Sequence, residues 1–280
     1  MPSPSEYLKA VKLPVMSEVA HLLIQTLHDQ DASVTRVRDV IAKDAALTTT
    51  LVRMANSAMY GLSRSIGSLD HAISVVGMSQ IRARALSICL TDVFPTSSGL
   101  DRTAFWQGSM ACAGYAKYLA GMLGMDEQQA WLTGVMLRLG EPIIAQRDPA
   151  LIEAFERAPR KPGERWARQR DALGFDECQL TSELAKRWDF PAEIVSALNA
   201  AAQPMAAQPF SALGAVLHLA GMLADSLLAG SLLADNLLGA EPLAVDLPKD
   251  VLRAVQLDGQ AVLAKLPDPQ DFTELPHERA

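Results

Sequence analysis

The side chains that most often bind metals or transfer protons are few in this 280-residue chain. Its histidines are His21, His28, His71, His218 and His277. His71 directly follows Asp70, a spacing that does not place both side chains on one helix face, so we expect His71 at the surface. His218 and Asp225 share a helix face, but two ligands do not complete a metal site. We therefore predict that His218 is a core residue and that the chain binds no metal or other cofactor.

The sequence also gives no support for nucleophilic or redox chemistry. The cysteines Cys89, Cys112 and Cys178 are far apart in the sequence and form no CxxC pair. A sparse, odd cysteine count suits a reducing compartment, and the N-terminus shows no signal-peptide pattern, so we expect a cytoplasmic protein. No GxSxG, GxxxxGKS/T, GxGxxG or HExxH motif occurs.

One group of side chains has the chemistry to bind an anion or a partner. Four arginines flank the segment ANSAMYG, residues 55–61, in which Asn, Ser and Tyr stand close together. We call this set the Tyr60 group; it comprises Arg53, Asn56, Ser57, Tyr60, Arg64, Arg82 and Arg84. Guanidinium groups and an aromatic ring can hold phosphates and stack on bases. A packing corner of turn residues beside a solvated basic face is the simpler interpretation, with Arg82 and Arg84 pointing towards solvent.

Composition narrows the classes of partner. The net charge is −7, which argues against nucleic acid, because non-specific binding to it depends on many phosphate contacts. With 49% hydrophobic residues the chain can bury a sizeable core without metals or disulfides. The Leu/Ala-rich stretch 211–238 is interrupted by His218, Asp225 and Asp235, so we predict a core helix there rather than a membrane span.

Helical periodicity dominates the chain, and no stretch alternates apolar and polar residues for long enough to indicate a sheet. Ser68 begins a short helix that Gly77 closes, and Ser79 is expected to cap the next helix. Thr103 is expected to cap a long helix that ends near residue 123, and Asp126 to start the helix after it. The sequence therefore predicts an all-α fold.

Several runs are more specific than periodicity. The chain reads LPVMSEVAHLLIQTL from Leu13, KDAALTTTLVRMANSAMYGLSRSIGSLDHAISVVGMSQIRARAL from Lys43, and later FWQGSMACAGYAKYLAGMLGMDEQQAWLTGVMLRLG and RWDFPAEIVSALNAA. These runs resemble the HDOD domain family, an all-α relative of HD-type phosphohydrolases found in bacterial signalling proteins. The resemblance covers roughly residues 10–205 and implies an HD-like bundle in two helical lobes. We assign residues 1–95 to the N-terminal lobe, 96–205 to a degenerate HD-like lobe, 206–266 to a helical extension and 267–280 to a disordered tail.

The resemblance also locates where a metal centre would lie. HD-type hydrolases bind metal through a histidine, an adjacent His-Asp pair and a later aspartate, and the metal activates water for phosphate-ester cleavage. At the corresponding positions this chain has Gly108, then Leu137 with Arg138, and finally Gly221. The resemblance thus implies a chain that is not an enzyme. Arg138 would bind an anion in the former cavity, pair with Glu141 or face solvent.

Together these features predict a non-catalytic bacterial signal-transduction module that acts through protein–protein interaction. The alternative is a receptor for a nucleotide such as cyclic di-GMP, bound through the Tyr60 group. A remote third function is residual phosphohydrolase activity.

Overall fold

The computed structural model describes residues 2–29, 32–57, 60, 65–94, 99–157, 161–234 and 245–272. Within these ranges the chain folds into α-helices and short 3-10 turns, and no strand is present there. The predicted all-α class is therefore confirmed.

The N-terminal part of the chain forms six helices. They are α1 (Pro4–Lys9), α2 (Glu18–Gln25), α3 (Val34–Ile41), α4 (Ala45–Ala55), α5 (Leu69–Val76) and α6 (Met78–Val93). Ser68 caps α5 and Gly77 ends it, as predicted. Ser79 does not cap α6, because the chain turns at Gly77, with φ at 94°, and α6 starts immediately at Met78. Ser79 consequently lies inside the first turn of α6.

The second part of the chain contains ten helices among the described residues. They are α7 (Arg102–Met122), α8 (Glu127–Met136), α9 (Gly140–Arg147), α10 (Pro149–Arg157), α11 (Glu164–Leu173), α12 (Glu177–Arg187), α13 (Ala192–Ala200), α14 (Ala212–Ala234), α15 (Lys249–Ala254) and α16 (Gly259–Ala264). Asp126 caps α8 as predicted. Asp101 rather than Thr103 caps α7, because the Asp101 carboxylate accepts the backbone N–H of Ala104.

Helix α7 is the centre of the second lobe. Every residue from Gly108 to Ala116 is buried, as expected of a helix surrounded by others. Helices α8 and α14 pack against it, and α13 packs against both α12 and α14. Where α7 and α8 cross, a Cβ atom on Gly134 would lie 2.7 Å from the Ala113 Cα, so a glycine is required for this close approach.

The two lobes share contacts at two places. Helix α6 packs on α8, and the N-terminal helix α1 packs on α12 of the second lobe. The buried ring of Tyr7 in α1 meets Phe175 edge-on, with 5.1 Å between the ring centroids. The first helix of the chain therefore helps to close the second lobe.

The C-terminal part returns to α7. The first half of α14 lies in the core, as predicted, with Leu213, Leu217 and Leu223 buried. We expected disorder from residue 267 onwards, but the Phe272 ring packs edge-on against Tyr115, 5.2 Å between centroids, and holds the segment up to that residue. The rest of the predicted tail, residues 273–280, lies outside the described residues.

Membrane-spanning potential is limited in the described part of the chain. No single helix there combines the length and the hydropathy needed to cross a bilayer. Helices α5 and α6 reach the threshold only when taken together, and they are bent by 116° relative to each other.

Candidate functional site

Five charged side chains meet inside the second lobe, and we call them the buried charge cluster. They are Arg138, Glu141, Arg165, Glu177 and Asp225. The exposed fraction of each side chain is 12% or less. They come from the α8–α9 turn, the first turns of α9, α11 and α12, and the middle of α14, so the packing of four helices and a turn brings them together.

Arg165 is the centre of the cluster. Its Nε donates a hydrogen bond of 2.9 Å to Glu177 Oε1 and lies 3.2 Å from Glu141 Oε1. Its Nη1 donates to Asp225 Oδ1 at 2.6 Å. Arg138 Nη2 donates to both carboxylate oxygens of Glu141, at 2.9 and 3.0 Å. Two guanidinium groups thus hold three carboxylates.

Neutral side chains complete the bonding of the carboxylates. Glu177 Oε1 accepts from Trp166 Nε1 at 3.1 Å, and Glu177 Oε2 accepts from Gln169 Nε2 at 2.9 Å. The backbone N–H of Gly163 donates to Asp225 Oδ2 at 3.2 Å. Buried polar groups fixed by several partners in this way define one arrangement of the surrounding helices.

The electrostatic balance of the cluster depends on one proton. If all five groups were ionised, one negative charge would stay uncompensated in the core. Burial raises the pKa of Glu177 to about 8, and the nearby Glu141 adds to this effect. Burial also opposes ionisation of Glu141, but Arg138 and Arg165 outweigh it and lower the pKa of Glu141 to about 2. Of the three carboxylates, Glu177 is therefore the one whose pKa is shifted towards taking up the proton that would make the cluster electrically neutral.

Within the Tyr60 group, the Asn56 side chain is hydrogen-bonded to the protein backbone. Its side-chain amide donates to the carbonyl oxygens of Val52 and Ile66, at 2.9 and 2.8 Å, and its Oδ1 accepts the N–H of Ile66 at 2.6 Å. These bonds hold Ile66 against the end of α4. The interpretation of this segment as a packing corner fits Asn56.

The arginines of the Tyr60 group do not form one surface. Arg53 is exposed, whereas Arg82 donates to the carbonyl oxygen of Thr26 at 2.8 Å. The guanidinium of Arg84 lies 3.4 Å from the centroid of the Trp131 ring. Our expectation that Arg82 and Arg84 point towards solvent was wrong, because α6 is packed on its neighbours and both side chains are half-buried.

The structure describes two of the three remaining members of the Tyr60 group. The hydroxyl of Tyr60 accepts a hydrogen bond of 2.8 Å from Gln80 Nε2. Ser57 is half-buried, and Arg64 lies outside the described residues.

The family is decided by sequence comparison. The profile of the HDOD domain matches residues 13–204, which is more than half of the chain. The chain belongs to the HDOD domain family. The predicted resemblance over roughly residues 10–205 is thereby confirmed.

Solved structures show the same HDOD fold. An HDOD domain protein of unknown function from Geobacter sulfurreducens is 24% identical, with a TM-score of 0.68, over 78% of this chain and 75% of its own. A protein from Marinobacter aquaeolei VT8, named as a candidate signal transduction protein, is 22% identical, with a TM-score of 0.71, over 94% and 57%. A candidate phosphohydrolase from Shewanella amazonensis SB2B is 23% identical, with a TM-score of 0.68, over 90% and 88%. At these identities the likeness concerns the fold alone.

A curated sequence relative is longer than this HDOD chain. An uncharacterized protein of Treponema pallidum (strain Nichols) is 20% identical over 185 residues. The match covers 62% of this chain and 34% of the relative, so it spans about a third of the relative's length.

Three of the four positions that the family resemblance assigns to metal ligands lie in or beside the buried charge cluster, namely Leu137, Arg138 and Gly221. Gly108, Leu137, Arg138 and Gly221 are all buried. A Cβ atom on Gly221 would lie 2.9 Å from the Trp166 ring and 3.3 Å from Leu137 Cδ2, so these two side chains fill the space next to it.

The residues at this place do not fit a divalent cation. The described residues contain no group of three or more His, Cys, Asp or Glu side chains arranged to hold a metal. Glu141, Glu177 and Asp225 are oxygen donors, but each is bonded to Arg165, and a cation would have to displace that guanidinium from all three. Arginine already supplies the positive charge that these carboxylates need.

Sequence reasoning found part of this arrangement. The pairing of Arg138 with Glu141 was one of three alternatives, and the solvent-facing alternative is wrong because Arg138 is 2% exposed. Arg165 and Glu177 were missed, since nothing in their local sequence marks them as partners. His218 has the predicted structural role: its Nδ1 lies 2.8 Å from the carbonyl oxygen of Ala201, and its ring lies 5.1 Å from that of Trp166.

Proposed function

We propose that this HDOD protein is a non-catalytic regulatory module that acts by binding a signalling protein in the bacterial cytoplasm. The observation that supports the proposal is the buried charge cluster, in which Arg138 and Arg165 neutralise the carboxylates beside the former metal positions. A hydrolase of the HD type needs a metal-activated water there. With that place filled by guanidinium groups and the Trp166 ring, the outer surface is left to carry the activity.

The partner-binding proposal is tested by co-purification of the tagged protein from its native cells, followed by mass spectrometry and binding measurements with the purified partner. We expect a signalling or regulatory protein to be enriched over an untagged control. Because Arg53 is exposed in the Tyr60 group, Arg53→Glu should weaken the complex, whereas the matched charge reversal Lys12→Glu at another exposed position should not. Recovery of no regulatory protein above background would contradict the proposal.

The non-catalytic part of the proposal needs its own experiment. Protein purified without chelators is analysed for iron, manganese and zinc and is assayed with phosphomonoesters and phosphodiesters. We expect metal well below one equivalent and no hydrolysis above the buffer control. Stoichiometric metal together with chelator-sensitive hydrolysis would instead establish residual phosphohydrolase activity.

Nucleotide binding through the Tyr60 group is the second candidate function. It is supported by the hydrogen bond from Gln80 to the Tyr60 hydroxyl, which holds Tyr60 against α6, the helix that also carries Arg82 and Arg84. Against it stand the bonds that already occupy Asn56 and Arg82. Calorimetry with cyclic di-GMP and Arg53→Ala tests this candidate: we expect binding that the substitution weakens, and absence of binding at high micromolar concentration would eliminate it.

A further inference from the structure

A pocket of about 570 Å³ is lined by residues of α6, α7, α8 and the C-terminal segment. Its lining includes Arg84 and Lys117, the rings of Tyr118, Trp131 and Phe272, and the side chain of Met122. This volume is in the range of pockets that enclose small organic ligands. The pocket is distinct from the buried charge cluster.

Arg84 brings an uncompensated positive charge to this pocket. Its guanidinium lies on the Trp131 ring, and its Nε is buried without a hydrogen-bond partner. Among the described residues no carboxylate lies within ion-pair distance of it, although two carboxylates, of Glu127 and Asp271, line the pocket. Burial lowers the pKa of Arg84 to about 10, which still leaves it charged near neutrality. The Arg84 side chain is half-buried, and an anion that reached its guanidinium from the pocket would offset the cost of placing this charge there.

Lys117 adds a second positive charge to the pocket. Burial lowers the pKa of Lys117, and the positive charge of Arg84 lowers it further, so the two cations repel each other across the pocket. Glu127 offsets this only loosely, with 3.8 Å between its Oε2 and Lys117 Nζ. A doubly charged phosphate group bound by both Arg84 and Lys117 would relieve this repulsion.

The remaining walls favour a flat, apolar body attached to that phosphate. Tyr118 and Phe272 supply aromatic surfaces, and Met122 supplies an adaptable apolar one. Phe272 is seated against α7 at Gly114, where a methyl group would overlap its ring. The C-terminal segment thus forms one wall of the pocket.

We propose that this pocket binds a phosphate monoester carried on an aromatic body of mononucleotide size, with Arg84 and Lys117 on the phosphate and the rings around the body. Partner binding at the outer surface is a separate matter and does not depend on this site. The pocket shares Arg84 with the Tyr60 group and contains none of the other members of that group.

The test is calorimetry on the full chain with AMP and GMP, compared with adenosine and inorganic phosphate as the separate body and head group. We expect a mononucleotide to bind more tightly than either fragment. Arg84→Met, which keeps an unbranched apolar stem but removes the guanidinium charge, should weaken binding about tenfold or more. Arg102→Ala removes an exposed arginine that belongs neither to the pocket nor to the Tyr60 group, and it should change the affinity by less than about twofold.

A second variant keeps the test decisive if Arg84→Met fails to fold. In Gly114→Ala the new methyl group displaces Phe272 and removes one wall while Arg84 stays in place, so we expect weaker mononucleotide binding and unchanged binding of inorganic phosphate. Shifts of the Trp131 indole resonance in nitrogen-15 NMR spectra report the occupied pocket directly. Failure of the wild-type protein to bind either mononucleotide at millimolar concentration, or equal affinity of wild type and Arg84→Met, would overturn the proposal.

Discussion

Arg165 can hold three carboxylates because of the shape of its side chain. Its Nε and Nη2 face Glu177, while Nη1 reaches Asp225 on another helix. A planar guanidinium carries donors in fixed, divergent directions, whereas a lysine has one nitrogen on a flexible stem. The cluster therefore requires arginine at this position, and lysine would not substitute for it.

Removal of Arg165 should be among the most damaging single substitutions. In Arg165→Met, Glu177 and Asp225 lose their cation in the core, and we expect the free energy of unfolding to fall by about 3 to 5 kcal/mol, as for other broken buried ion pairs. The control is Arg168→Met on the same helix, because the pair of Arg168 with Glu164 is partly exposed and contributes about 1 kcal/mol or less. Urea unfolding followed by circular dichroism measures both. Equal losses in the two variants would show that Arg165 does not hold the cluster together.

Glu177 should make stability decrease as the pH rises above neutrality. Its pKa of about 8 in the folded protein exceeds the ordinary value of 4.5, so its contribution is complete below pH 4.5 and is lost as the pH rises through 8. Burial lowers the pKa of His218, which is therefore neutral throughout the upper part of this range. We expect the free energy of unfolding to fall by about 1 kcal/mol between about pH 7 and pH 9. In Glu177→Gln this slope should be absent, and an unchanged slope in that variant would assign the effect to another group.

At the scale of the helices, the crossing of α7 and α8 depends on Gly134. An alanine there would push its methyl group against Ala113, so overpacking should cost about 1 to 3 kcal/mol, partly offset by the better helix propensity of alanine. Gly67→Ala is the matched control, since its Cβ atom would meet nothing within 4 Å. Thermal unfolding should therefore show a lower melting temperature for Gly134→Ala only. A similar melting temperature in both variants would mean that the crossing adjusts freely.

The ring and the hydroxyl group of Tyr7, in helix α1, should affect stability differently. The Tyr7 ring packs on Phe175, and Arg147 lies 4.5 Å from its centroid, but the hydroxyl is buried without a hydrogen-bond partner. Tyr7→Phe should hence be neutral or stabilising by up to about 1 kcal/mol, whereas Tyr7→Ala should cost about 3 to 5 kcal/mol. Denaturant titrations compare the two variants. Destabilisation by Tyr7→Phe would show that the hydroxyl has a partner, such as a bound water.

The sequence predicted helix boundaries where a capping residue bonds to its near neighbours in the chain. It did not predict the buried charge cluster. Ser68 and Asp126 cap their helices through bonds to residues two or three positions away, so the sequence alone reveals them. Arg165 and Asp225 are sixty positions apart and meet only after α11 and α14 have packed, so no spacing rule connects them. Family resemblance drew attention to Arg138 and Gly221, but not to Arg165 or Glu177.

At the scale of the whole molecule, the lobes are joined through buried aromatic groups. The Trp131 indole N–H of α8 donates a hydrogen bond of 3.3 Å to Ser87 Oγ of α6. The guanidinium of Arg84, also in α6, lies on the Trp131 ring. The Phe94 ring, at the end of α6, lies 6.1 Å from Trp188. Separating the lobes would expose these groups to water, so neither lobe should unfold without disturbing the other.

Unfolding should accordingly occur in one step, and the distribution of tryptophans allows a direct check. All four tryptophans lie between residues 106 and 188, in the second lobe, so tryptophan fluorescence reports on that lobe. Far-ultraviolet circular dichroism reports on the helices of both lobes. We expect the two signals to coincide through a urea titration, because the contacts of Trp131 and Trp188 with α6 couple the lobes. A dichroism curve with two steps, only one of which the fluorescence follows, would instead show that the lobes unfold independently.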